Sequence, residues 1–257
     1  MQEDGSIIEK NEQLNKPKRS IGNKIKLVIS TLLLLFFVGV FAFSLYKIII
    51  WEKDNKKTQS VTNEIISEAE VVIKADESLS INFDKLLEKN KRVVGWIMVK
   101  NTNVNYPILQ YSDNDYYLTH SFDESYNGAG WIFLDYRNNY KELDNNTIVF
   151  GHGRKDGSMF GSLRNIYDDS WRANKDNLII NYSTLTNNYR FQIFSAYTIH
   201  DTDDYMSIAY NNELINRFIQ RSAYDFNVEV NENDKILTLQ TCYNESKKLV
   251  IHAKLIQ

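Results

Sequence analysis

Cysteine is almost absent. The 257-residue chain contains one, Cys242, so neither an internal disulfide nor a multi-thiol metal site can form. Proline is nearly as scarce, with two residues, and the ten glycines show no period, which excludes collagen-like, mucin-like and broadly disordered chains. There is no basic excess either: 30 Lys and Arg against 33 Asp and Glu leave a net charge of −3 and a pI of about 5.9. Without surplus positive charge to neutralise phosphates, nucleic acid is excluded as a partner. What is present, 43% hydrophobic, 25% charged and 13% aromatic residues, is the make-up of a folded globular domain with appendages.

One appendage stands out. Residues 27–46, LVISTLLLLFFVGVFAFSLY, carry no charge. At the helical rise such a run reaches about 30 Å, the thickness of a bilayer core. A cleavable signal is the alternative, and Ala42-Phe43-Ser44 has the spacing of a cleavage site, but signal cores are shorter, about 7–15 residues. This run continues through Ile48, Ile49 and Ile50 to an interfacial aromatic, Trp51. An uncleaved anchor over 27–51 is expected. Ahead of it, Lys16, Lys18, Arg19, Lys24 and Lys26 mark residues 1–26 as a cytoplasmic tail suited to anionic membrane lipid. Everything after Trp51 is then extracellular: a polar tether at 52–60 and a domain at 61–257.

Within that domain, Val61, Ile65, Ala69 and Val72 recur at helical spacing, and Phe83, Leu86 and Leu87 follow, predicting two helices against a core. From Val93 the period changes. Runs rich in β-branched and aromatic residues predict strands at 93–99, 104–110, 131–136, 146–152, 177–182, 189–199, 235–241 and 248–256. Helices are expected at 158–166 and at 213–222, the latter with Leu214, Ile215, Phe218 and Ile219 on one face. A mainly β fold with eight strands favours a closed barrel, which leaves no exposed edge; strand number alone leaves a β-sandwich open.

The lone thiol sits in the box LTLQTC (237–242), at a strand end, with polar residues immediately after it. A lone cysteine is commonly a small buried hydrophobe. A free thiol kept in an exported domain and placed beside polar sequence points instead to use. Nucleophilic cysteine chemistry needs a proton-transfer partner, and histidine is the suitable type. Of four histidines, His152 follows a strand end and is flanked by Gly151 and Gly153; His252 lies mid-strand and reads as a packed barrel residue; His120 and His200 lie in polar sequence and are expected in solvent. No helical pair of histidines and no second thiol offers a zinc site. A donor for a developing oxyanion is also required, and after Cys242 only Lys247, Lys248 and Lys254 are basic.

The segment NTIVFGHGRKDGSMFGSL (146–163), the LTLQTC box, the closing KLVIHAKL (248–255) and YYLTHSFDESYNGAGWIFLD (116–135) occur in the order found in class B sortases, and together they resemble that family. The resemblance implies an eight-stranded sortase barrel with N-terminal helices behind one membrane anchor. It implies a cell-wall transpeptidase that cleaves a C-terminal sorting signal of N-P-x-T-[NG] kind after threonine. The partners would be a surface protein bearing that signal and an amine of peptidoglycan or of its lipid-linked precursor; no cofactor or metal is called for. Cys242 carries over as nucleophile and His152 as general acid and base. The family's arginine falls at Lys248, which lacks the planar fork of a guanidinium. Asn114, Leu118, Phe150, Tyr205, Met206 and Gln240 are expected along the substrate groove, although Leu118 and Phe150 read equally well as core and Asn114 as a turn former. Two other readings remain: a sortase-like barrel that binds signals or wall peptide without turnover, and a plain cysteine hydrolase.

Overall fold

The computed structural model describes residues 21–200, 204–244 and 246–257. The chain divides into two compact units, 1–50 and 51–257, and helix α1 (Ile21–Ala69) runs through the boundary. In the first unit the helix is apolar on every side, and its large side chains, from Leu27 to Ile49, are open to the surroundings. That is the surface expected of a membrane span rather than a core helix. Two of its hydroxyls bond back to the helix: Thr31 donates to the Leu27 carbonyl and Ser44 to that of Val40, each at 2.9 Å. Neither hydroxyl is left bare in an apolar setting.

The second unit begins at Trp51 and takes in residues 52–60, which are helical rather than an unstructured tether. No apolar stripe announces this stretch; polar contacts hold it. Asp54 accepts from the Gly128 amide at 3.2 Å, the buried Thr58 hydroxyl accepts from Asn127 Nδ2 at 3.0 Å, and Lys57 pairs with Asp123 at 3.3 Å. Further on, Ile65 and Ala69 enter the core. The helix stops where Glu70 takes a left-handed backbone, φ 48°. Val72, expected to extend the helical face, lies instead in a small hairpin of β1 (Val72–Ile73) and β2 (Leu79–Ser80). Helix α2 (Phe83–Lys89) follows, capped by Asn82 and burying Leu86.

The eight expected strands are all present: β3 (Val93–Val99), β4 (Asn105–Leu109), β5 (Phe133–Leu134), β6 (Asn146–Phe150), β7 (Ile179–Thr184), β8 (Asn188–Ile199), β9 (Ile236–Cys242) and β10 (Lys248–Leu255). They close into a barrel in the order β10-β8-β7-β3-β4-β5-β6-β9. Closure rather than a sandwich follows from β9, which pairs β10 on one side and β6, in parallel, on the other. Alternation along β9 sends Leu237 and Leu239 into the main core with Trp96, Ile97, Phe191 and Ile251. The opposite face of β9 carries Ile236, Thr238, Gln240 and Cys242.

The expected helix at 158–166 is a 3₁₀ segment, Gly161–Tyr167, followed by the short α3 (Asp169–Ala173). Helix α4 (Asn212–Arg221) starts at an Asn211 cap and buries Leu214, Ile215 and Phe218; Ile219 is exposed, so the buried face is narrower than its spacing implies. Around it a second apolar cluster forms with Phe194, Tyr197, Tyr205, Ile236 and Val250. His252 is fully buried here, as its mid-strand position implies. Its ring stacks on Phe218 at 3.9 Å, and its nitrogens lie 2.9 Å from the hydroxyls of Tyr197 and Thr238. Burial holds its pKa down at about 3, so it is neutral at physiological pH.

Candidate active site

Strand register assembles the site. In the parallel pair of β6 and β9, Phe150 lies beside Gln240, so continuing two residues on each strand brings His152 level with Cys242. In the antiparallel pair of β9 and β10, Cys242 lies directly opposite Lys248. Three neighbouring chain segments therefore present a histidine, a thiol and an ammonium in one row. Lys248 Nζ stands 3.5 Å from Cys242 Sγ. The turn that returns the chain to β10 is fixed by Asn244, whose side-chain oxygen accepts from the amides of Ser246 and Lys247 at 3.0 and 2.9 Å. Lys247 falls in that turn, outside the strand pair, and Lys248 is the lysine that faces the sulfur.

The histidine segment is held by backbone packing. Phe160 N–H donates to the His152 carbonyl at 3.0 Å, and His152 Nε2 lies 2.7 Å from the Leu118 carbonyl. A carbonyl can only accept, so Nε2 carries the proton in this contact and Nδ1 is left free in the neutral ring. Two glycines permit the close approach. Gly130, at φ 59°, would place a Cβ 2.9 Å from the His152 ring, and a Cβ on Gly153 would lie 1.8 Å from the Cys242 carbonyl oxygen. The backbone beside the histidine thus lies directly against the carbonyl of the cysteine.

Arg164, which nothing in the sequence singled out, ties the two segments together. Its Nη2 donates to the carbonyls of Gly153 and Tyr243 at 2.9 Å each and approaches that of Cys242 at 3.4 Å. Arg154 turns away from the thiol: its guanidinium lies 6.0 Å from the Trp51 ring centre and 3.5 Å from Asp156. A cavity of about 750 Å³ opens beside Cys242, lined by Gly153, Lys155, Arg164, Lys247 and Lys248 among others.

The six expected groove residues do not line that cavity. Phe150 and Tyr205 are only 6% and 3% exposed, Phe150 stacked on Phe133 and Tyr205 in the second apolar cluster, so both belong to the core. Leu118 is open to solvent, and Gln240 and Met206 are half-buried. Asn114 is tied to the buried Asp135: its Nδ2 donates to that carboxylate at 3.1 Å, and the exposed Arg137 joins Asp135 to the Met206 carbonyl at 2.7 and 2.9 Å. Burial pushes the Asp135 carboxyl up, but the hydrogen bonds and charge of Arg137 outweigh it and hold the pKa below the usual range. Of the remaining histidines, His200 is exposed, whereas His120 is half-buried and stacked on Tyr116 at 4.0 Å rather than standing free in solvent.

A closed eight-stranded barrel with a thiol at one strand end, a histidine level with it and a cation opposite defines a class of cysteine transpeptidase. The Sortase domain matches residues 97–256. Sortase B of Listeria monocytogenes is 36% identical, covering 91% of this chain and 99% of its own length, and sortase B of Staphylococcus aureus is 31% identical, covering 90% and 97%. Among solved structures, a complex of Bacillus anthracis sortase B with AAEK1 superimposes with a TM-score of 0.68 at 33% identity, covering 80% of this chain and 99% of that one. The chain belongs to the sortase family, in its class B.

Proposed function

We propose that this protein is a membrane-anchored transpeptidase that cleaves a sorting signal of N-P-x-T-[NG] kind after threonine and transfers the product to an amine of peptidoglycan or of its lipid-linked precursor. Its basic tail stays cytoplasmic and its barrel works outside the membrane. The observation that carries the reading is the row of His152, Cys242 and Lys248 across neighbouring segments. In the first step the Cys242 thiolate attacks the threonine carbonyl carbon. The C–N bond breaks, His152 gives a proton to the leaving amine, and a thioester remains. In the second step an acceptor amine attacks that thioester; the C–S bond breaks, His152 takes the amine proton, and the thiolate is restored. Lys248 favours the thiolate by its charge and can turn one N–H toward the oxyanion, where an arginine would offer two. Leu118, Asn114, Met206 and Gln240 form the wall along which the signal lies, and Phe150 and Tyr205 support it from beneath.

The Lys248 substitution also motivates a rival, a barrel that binds signals without turnover. Incubating the full chain in detergent micelles with a sorting peptide and an amine separates the readings. The proposal expects cleavage after threonine and a new amide that forms only when amine is supplied. Cleavage without transfer would mean a hydrolase, and binding without cleavage would mean the rival.

A further inference from the structure

The His152 ring is aimed by one main-chain atom, the Leu118 carbonyl oxygen 2.7 Å from its Nε2. That oxygen belongs to a 3₁₀ turn, Tyr116–Leu118, outside the barrel strands. The carbonyls on either side of it are pinned: that of Tyr117 accepts from the Trp131 amide and that of Thr119 from the Asn127 amide, each at 2.9 Å. Asn127 then uses every polar group it has left. Its carbonyl accepts from the Gly130 amide at 2.9 Å, its Oδ1 from the Ala129 amide at 2.8 Å, and its Nδ2 donates to Thr58 Oγ1 at 3.0 Å. Gly130, fixed by the first of these bonds, is the glycine that lies against the His152 ring. Asn127 and Thr58 are both buried, so losing the Thr58 oxygen leaves that amide N–H without a partner instead of handing it to bulk water.

We infer that Asn127, held by Thr58, is a positioning residue for the His152 imidazole, and that the first turns of α1 after Trp51 thereby belong to the proton-transfer machinery. This rests on the transpeptidase reading and adds the groups that aim its acid. Neither residue touches the reacting atoms; both act through the peptide units that carry the Leu118 carbonyl and Gly130. The helix that supplies Thr58 is the one that continues from the apolar run, so anchoring and catalysis draw on a single element. A reacting group keeps its geometry only when its supports are themselves fixed, and here the support is a side-chain bond between segments distant in sequence.

The test compares two substrates of the full chain in detergent micelles. One is the sorting peptide, whose leaving amine needs a proton. The other is the same peptide ended at threonine as a p-nitrophenyl ester, whose phenolate leaves without one, so only the first depends on how the imidazole is aimed. Thr58→Val removes the oxygen and keeps the volume. It should lower kcat for the peptide about tenfold with KM unchanged, the size expected for a shift of about half an ångström. First-turnover release of nitrophenolate should stay within about twofold of wild type. Thr58→Ser restores the oxygen and should recover the peptide rate. Thr58→Ala, which opens room for a bridging water, is the milder variant and should show the same split at about threefold. Ile65→Val loosens the same helix with these bonds intact, and should leave both rates within about twofold of wild type. Peptide and ester rates that fall together, a peptide rate untouched by Thr58→Val and Thr58→Ala alike, or a Thr58→Ser variant as slow as Thr58→Val would overturn the inference. A wild-type chain acylated by neither substrate would instead overturn the transpeptidase reading beneath it.

Discussion

Gly153→Ala isolates what packing contributes to the site. A Cβ at this position would stand 1.8 Å from the Cys242 carbonyl oxygen and 2.9 Å from Thr241 Oγ1. Carbon and carbonyl oxygen do not approach closer than about 3.3 Å without strain, so the two segments must part by more than about 1 Å. The obstructing atom is backbone in a paired strand, held by β10 on its far side, and no rotamer change can relieve it. Overpacking of this kind costs about 1–3 kcal/mol, which lowers the melting temperature of a unit this size by about 2–10 °C. The effect on catalysis should be larger, because misplacing a reacting group by about 1 Å costs about a hundredfold in rate. The assay pairs the transfer rate with the melting temperature of the full chain in detergent, using Gly128→Ala as control, where a Cβ meets only the end of Asp54 at 3.2 Å. Transfer by Gly153→Ala within threefold of wild type would refute the claim that this contact sets the spacing of histidine and thiol.

Three further outcomes follow from the same geometry. Transfer should rank Lys248→Arg at or above wild type and Lys248→Ala about tenfold to a hundredfold below it, since losing a well-placed oxyanion donor outright costs about a hundredfold or more; equal rates in all three would remove lysine from the mechanism. Arg164→Gln should lower kcat about tenfold with KM for the signal unchanged, because three carbonyls lose their clamp. Arg164→Lys should recover little if the fork matters, and a full recovery would make charge the cause. For His252, the folded pKa of about 3 lies below the ordinary 6.5, so the unfolded chain binds a proton that the folded one refuses. Stability should therefore be unaffected above pH 6.5 and decline by about 1.4 kcal/mol per pH unit from there toward pH 3. His252→Gln should show a slope shallower by one proton, measured by melting at pH 7 and pH 5, and an unchanged slope would mean the ring is reached by water.

Much of this was legible in the residues because each signal was local. The strands announce themselves by β-branched alternation, and Cys242 and His152 by strand-end positions beside polar or glycine residues. What stayed hidden depends on partners distant in the chain. Residues 52–60 have no apolar face, and their helix is docked by Asp54, Lys57 and Thr58 against a loop seventy residues on. Arg164 acts on main-chain carbonyls of two other segments, which no spacing reveals. Phe150 and Tyr205 have the right chemistry for a groove, but Phe150 stacks on Phe133 in the main core and Tyr205 joins the apolar cluster around α4. The choice between Lys247 and Lys248 rests on where the turn ends, a one-residue matter that the strand pairing decides.

The central claim is that Cys242 carries the acyl group between donor and acceptor. Its most direct test is intact-mass measurement of the full chain in detergent, incubated with a peptide of N-P-x-T-N type and no amine. The expected result is a mass gain equal to the fragment ending in threonine less one water, on Cys242, lost on adding hydroxylamine and absent from Cys242→Ala. His152→Ala should accumulate it at least a hundredfold more slowly. A chain that cleaves the peptide yet never gains mass, or a Cys242→Ala variant that gains it, would contradict the account.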